Sequence, residues 1–131
     1  MATTPFQRFL QDNNILVGVV VDIGSSSIVV HGDPKQLESD GLLRYYFSDV
    51  AKLNGYLTGR LLPAMLQQGQ VAGVISKPTD DMIVGLLYHD ERPVLQRYQY
   101  SQQLDQGVRD IWKEGGIKVK SGGRAGAEGG A

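Results

Sequence analysis

Two runs of β-branched residues, Ile15 to Ile23 and Ser27 to Val30, flank the small segment Gly24-Ser25-Ser26. Branched side chains suit a pleated, half-buried surface and a Gly/Ser segment suits a tight reversal, so Ile15 to Val30 is predicted to be a β-hairpin. Ahead of it, Phe6, Phe9 and Leu10 recur at helical spacing behind Thr4-Pro5, a good helix opening. A short helix over Pro5 to Gln11 follows, ended by Asp12-Asn13-Asn14.

Beyond the hairpin, His31-Gly32-Asp33-Pro34 breaks the pattern, and Leu42, Leu43, Tyr46, Val50, Leu53, Leu57 and Leu61 form a stripe that predicts one long central helix. Pro63 should kink or end it. Gly55 and Gly59 inside the stripe each cost about 1 kcal/mol of helix propensity, which close packing against another backbone would offset. Gln67-Gln68-Gly69-Gln70 reads as a loop, and Val71 to Ser76 as a short strand. A more apolar strand, Met82 to Tyr88, comes next. Pro93 to Tyr100 then reads as a third strand with one wet face, and Ser101 as the cap of a closing helix through Lys113. The expected fold is α/β of the α+β type: a five-stranded, mostly antiparallel sheet with helices on its faces, in the order α-β-β-α-β-β-β-α.

The chain has 131 residues, enough for one domain with its own core, placed at 1–120. Ser121 to Ala131 lacks any bulky apolar residue and is expected to be a flexible Gly-rich tail. With 13 basic against 14 acidic residues scattered along the chain, no basic face for nucleic acid is expected. The absence of cysteine excludes disulfides and thiolate chemistry and is compatible with a reducing compartment. No apolar run is long enough for a membrane span, and the amino terminus has no signal-peptide pattern, so the expected address is cytoplasmic, without membrane insertion.

Candidate chemistry is sparse. Asp22-Ile23-Gly24-Ser25-Ser26-Ser27 looks like the first phosphate-binding segment of actin-like ATPases and sugar kinases, which would make the protein a nucleotide or phosphate binder. That fold needs two related domains closing over the nucleotide, more than this length supplies, and the plainer reading is a hairpin turn of small residues. His31-Gly32-Asp33 and His89-Asp90-Glu91 lack diagnostic metal spacing and read as solvated turns. The serines lack a nucleophile elbow, and Asp80-Asp81 and Asp90-Glu91 read as loop ends. No catalytic residue, cofactor or metal ligand is predicted. Tyr45, Tyr46, Phe47, Tyr98 and Tyr100 suit core packing, or a contact surface wherever one is exposed.

Val17 to Asp33, VGVVVDIGSSSIVVHGD, and Asp80 to Tyr100, DDMIVGLLYHDERPVLQRYQY, together with the element order, resemble the roadblock family of dynein light chains and their bacterial relatives, over about residues 5 to 114. The resemblance implies a profilin-like fold and a non-catalytic protein that forms a homodimer through the central helix and the following strand. It further implies a scaffold or regulator, often of a small GTPase. By position the interface would include Leu53, Leu57, Gly59, Val71, Gly73 and Ile75, with Val71 to Ser76 as an edge strand. A secretion-chaperone-like module that binds an extended client at a sheet edge is a further reading.

Overall fold

The computed structural model describes residues 4–37 and 40–114. The expected tail lies outside them. Thr4 opens α1 (Pro5–Asp12) with a capping box: its hydroxyl accepts from the Gln7 N–H at 3.1 Å, and its own N–H donates to the Gln7 side chain at 3.0 Å. The predicted hairpin is present as β1 (Val17–Asp22) and β2 (Ser27–Gly32), with Val17 opposite Gly32 and Asp22 opposite Ser27. The second strand runs on to Gly32. There φ is +93°, and an added Cβ would lie 2.2 Å from the Leu16 carbonyl, so only glycine fits.

The stripe expected as one long helix is two short ones, α2 (Gly41–Tyr46) and α3 (Val50–Leu57), preceded by a single 3-10 turn at Pro34–Gln36. Capping chemistry overrides the apolar spacing here: Asp49 is extended, and its carboxylate accepts from the Lys52 N–H at 3.1 Å. The break also carries Phe47 into the core, against a notch in the sheet at Gly85. The second helix ends at Leu57, well before Pro63.

Two further expectations need correction. Gln67 and Gln68 are not loop but the end of β3 (Ala64–Gln68), which turns through Gly69-Gln70 into β4 (Val71–Thr79). Pro93 to Tyr100 is not a strand. After β5 (Met82–His89) the chain enters α4 (Val94–Lys113), and Ser101, expected as a cap, is buried within that helix and donates to the Tyr98 carbonyl at 2.6 Å. Val94 and Tyr98 stand at i and i+4, so even spacing that suited a strand also suits a helix, and Leu104 and Val108 continue it.

The sheet order is β2-β1-β5-β4-β3, antiparallel throughout. Period-two alternation divides its side chains between two cores. Val17, Val19, Val21, Ile75, Ile83 and Leu87 pack with Leu42, Phe47, Leu53 and Leu57 of the α2/α3 layer. On the other face Val20, Val74, Val84 and Leu86 meet Phe6, Leu10, Leu104 and Val108 from α1 and α4. Strands covered on both faces read as nearly continuous apolar runs, as Val17 to Val21 and Ile83 to Tyr88 do.

One polar cluster is built into the α4 face. The buried Ser76 hydroxyl donates to Asp105 Oδ1 at 2.5 Å, and Arg109 Nε donates to Asp105 Oδ2 at 3.0 Å. Asp105→Ala strands a buried hydroxyl and is expected to cost about 1–3 kcal/mol in urea unfolding. Adding Ser76→Ala should recover part of that loss, because no orphaned hydroxyl then remains.

Candidate interaction surfaces

The strand order leaves two edges, β2 at one end of the sheet and β3 at the other. The expectation that Val71 to Ser76 is an edge is therefore wrong: β4 lies between β5 and β3, and its residues are buried. Of the six positions expected at an interface, Leu53 and Leu57 are core residues of α3, Val71 and Ile75 are core residues of β4, and Gly73 is buried between the Leu66 and Leu87 side chains. Gly59 alone of the six is exposed, in the link between α3 and β3.

What lies exposed around β3 escaped the sequence reading. Met65 is 43% exposed, on the same face of the sheet as α4, and Leu61, just upstream, is 95% exposed. The inward stripe of α4 passes through Ser101, Asp105 and Val108, and extends back through Tyr98 to Val94, which is 69% exposed. Arg97 marks where the helix reaches the last strand, its guanidinium donating to the Gln67 side chain at 2.7 Å. The first turns of α4 thus carry an apolar stripe that leaves its core-facing side uncovered beside the open edge.

A second surface bridges the break between α2 and α3. Tyr45, Tyr46 and Tyr56 form a ladder of edge contacts, with ring centroids 4.8 and 5.1 Å apart. Lys52 lies over the Tyr45 ring at 4.9 Å and Arg60 over the Tyr56 ring at 4.1 Å. Burial and a hydrogen bond with Tyr56 push the Tyr46 phenol above its ordinary range, favouring its neutral form. Tyrosines flanked by cations supply contact area at little entropic cost, the composition found at binding hot spots.

The Asp22 to Ser27 turn is closed by its own side chains. Asp22 Oδ1 accepts from the Ser25 N–H, and the Ser25 and Ser27 hydroxyls lie 2.9 Å apart. The carboxylate thus occupies an amide that a phosphate would need. The two histidine segments are solvated only in part: His89, Glu91, Gly32 and Asp33 are exposed, whereas Asp90 is buried and His31 partly so. Asp90 is buried, with Oδ1 3.1 Å from Arg92 Nη1, and Arg92 stacks on Tyr100. His31 packs edge-on against Phe6, and its Nε2 is buried without a partner.

Desolvation lowers the His31 pKa from its ordinary 6.5, which carries a signed consequence. A base harder to protonate when folded contributes nothing to pH dependence well above pH 6.5. Below that value the unfolded chain takes up the proton first and stability falls. Melting temperature should therefore drop between about pH 7 and pH 5.5 by more in the wild type than in His31→Gln.

Strand order, antiparallel pairing and a helical layer on each face define a roadblock-type fold. Among solved structures, MglC from Myxococcus xanthus is similar with a TM-score of 0.52 and 16% identity, covering 84% of this chain and 98% of that one. Gliding protein MglB from Thermus thermophilus gives 0.53 and 8% over 84% and 87%, and Myxococcus xanthus MglB gives 0.51 and 12% over 82% and 90%. These likenesses are of fold. No family model matches the sequence, and no curated protein matches it. Among the described residues no helix is long and apolar enough to cross a membrane.

Proposed function

We propose that the protein is a non-catalytic homodimeric scaffold, joined at the β3 edges, that regulates a small GTPase. The carrying observation is the open β3 edge, flanked by exposed Met65 and Leu61 and by the uncovered stripe of α4. Pairing β3 with its two-fold mate would continue the sheet across both subunits and cover that stripe, an isologous solution that closes at two copies. Self-association has a parallel in fold, since one similar structure is MglB in a tetrameric arrangement. The pairing strand is then Ala64–Gln68, next along from α3, and not Val71 to Ser76.

The regulatory role is supported by the roadblock resemblance and by the tyrosine ladder, which leaves Tyr45, Lys52 and Arg60 exposed on the α2/α3 side. A GTPase would dock there through an acidic patch of its own, drawn by the Lys52 and Arg60 charges. The test is purification from the source cell with the tagged chain as bait. A small GTPase should accompany the wild type and be lost with the Tyr45→Ala, Arg60→Glu double variant, while the dimer mass stays unchanged. Absence of any GTPase from the wild-type eluate would refute the regulatory half and leave the dimer to be judged alone.

A further inference from the structure

The opposite edge of the sheet has features that self-pairing at β3 does not use. β2 ends the sheet, so the outer hydrogen-bonding groups of Ser27–Gly32 have no neighbouring strand among the described residues. Exposed edges are normally blunted by charge, proline or a bulge. This strand has none of these: Ser27-Ile28-Val29-Val30-His31-Gly32 holds no acidic or basic residue apart from histidine and no proline, and it keeps continuous register with β1. Val29 is 46% exposed and Val30 is comparably open.

Beside the strand lies a cleft of about 350 Å³ between α1 and the end of β2, lined by Leu10, Ile15, Leu16, Gln7, Gln11 and His31. Its apolar wall is aliphatic. On its polar side sits His31, whose Nε2 is buried and has no hydrogen-bond partner. Desolvation favours the neutral ring, which can offer or accept one hydrogen bond. His31 stands opposite Gly18 in the ladder, on the α1 side of the sheet, so a strand laid outside β2 would direct the side chain next to His31 into this cleft.

We propose that the β2 edge and the α1–β2 cleft form a docking site for an extended, uncharged peptide segment of a partner chain. The segment adds to the sheet as a sixth strand and seats one side chain in the cleft, with an aliphatic or aromatic body that packs against His31. Main-chain pairing supplies affinity and the cleft supplies selectivity. The neutral edge sets the uncharged character of the segment. A second copy of this chain is the less suitable occupant, because pairing at both β2 and β3 would grow without closure. This site is at the far end of the sheet from the dimer edge and does not depend on it.

The test is selection of random ten-residue peptides, displayed on ribosomes, against the immobilised full chain, followed by titration with the synthesised winners. Enriched peptides should share one apolar position, shift the amide resonances of Val29, Val30 and His31, and bind about tenfold or more weakly to His31→Ala and to Val29→Lys. Met65→Lys, at the other edge, should bind them like the wild type whether or not that variant is a dimer. Three results would overturn the proposal: no enrichment, binding indifferent to both β2 substitutions, or a fall in solution mass with Val29→Lys, which would show a second copy in the site.

Discussion

Met65→Lys is expected to turn the dimer into a monomer without unfolding it. In the free chain Met65 is 43% exposed on an edge strand, so a lysine there can keep its ammonium in water. Paired edge to edge about a two-fold axis, the two substituted strands would bring two ammonium groups toward one another beside the α4 stripes. An unpaired buried charge costs about 3–5 kcal/mol, which weakens association by two orders of magnitude or more. Light scattering at tens of micromolar should give twice the 14.3 kDa chain mass for the wild type and the single mass for the variant. Its thermal melt should remain cooperative.

The second large effect is predicted in the core. Gly85 sits in the middle of β5, where a Cβ would fall 2.1 Å from the Phe47 ring. The ring fills the space that a side chain would take, which is how the α2–α3 break is clamped onto the sheet. Gly85→Val has no open space to move into, because β1 and β4 pair on either side. A loss of about 3 kcal/mol or more is expected in urea unfolding, at the upper end of overpacking costs. Gly85→Ala should be less severe, and Phe47→Leu should relieve it in part, with a coupling of about 0.5–3 kcal/mol between the two sites. Purely additive losses would mean that the ring does not occupy the notch.

Much of this fold was legible because its strongest signals are local. The β1–β2 hairpin and the apolar β5 run follow from β-branched composition and turn residues, and the helix opening at Thr4 follows from a hydroxyl set before proline. The errors arose where two local rules compete. Asp49 caps a new helix inside an unbroken apolar stripe, Gln67 and Gln68 pair with β4 despite loop-like composition, and Val94 and Tyr98 satisfy helical and strand spacing alike. The strand count came out at five with the last three displaced by one element: the missed strand Ala64–Gln68 balanced the false one at Pro93 to Tyr100.

That displacement explains the misplaced interface. Naming the strand after the central helix led to Val71 to Ser76, which is buried because a further strand covers it. Edges are a property of sheet order, a long-range arrangement that no window of sequence encodes. The tyrosine ladder was partly visible, since Tyr45 and Tyr46 stood out. Tyr56, Lys52 and Arg60 join it only because α3 folds back beside α2. The sequence around His31 reads as a solvated turn because the ring it packs on, Phe6, lies far away along the chain.

Whether two copies join at β3 is read by position-specific cross-linking, since the chain has no cysteine of its own. Single cysteines placed at Met65, Gln67 and Val29 would be oxidised under mild conditions and resolved without reductant. Pairing at β3 gives a covalent dimer either from the single cysteine that faces its own mate across the two-fold axis or from the Met65→Cys and Gln67→Cys variants mixed, and none from Val29. A covalent dimer formed through Val29, with neither β3 position reacting, would contradict it.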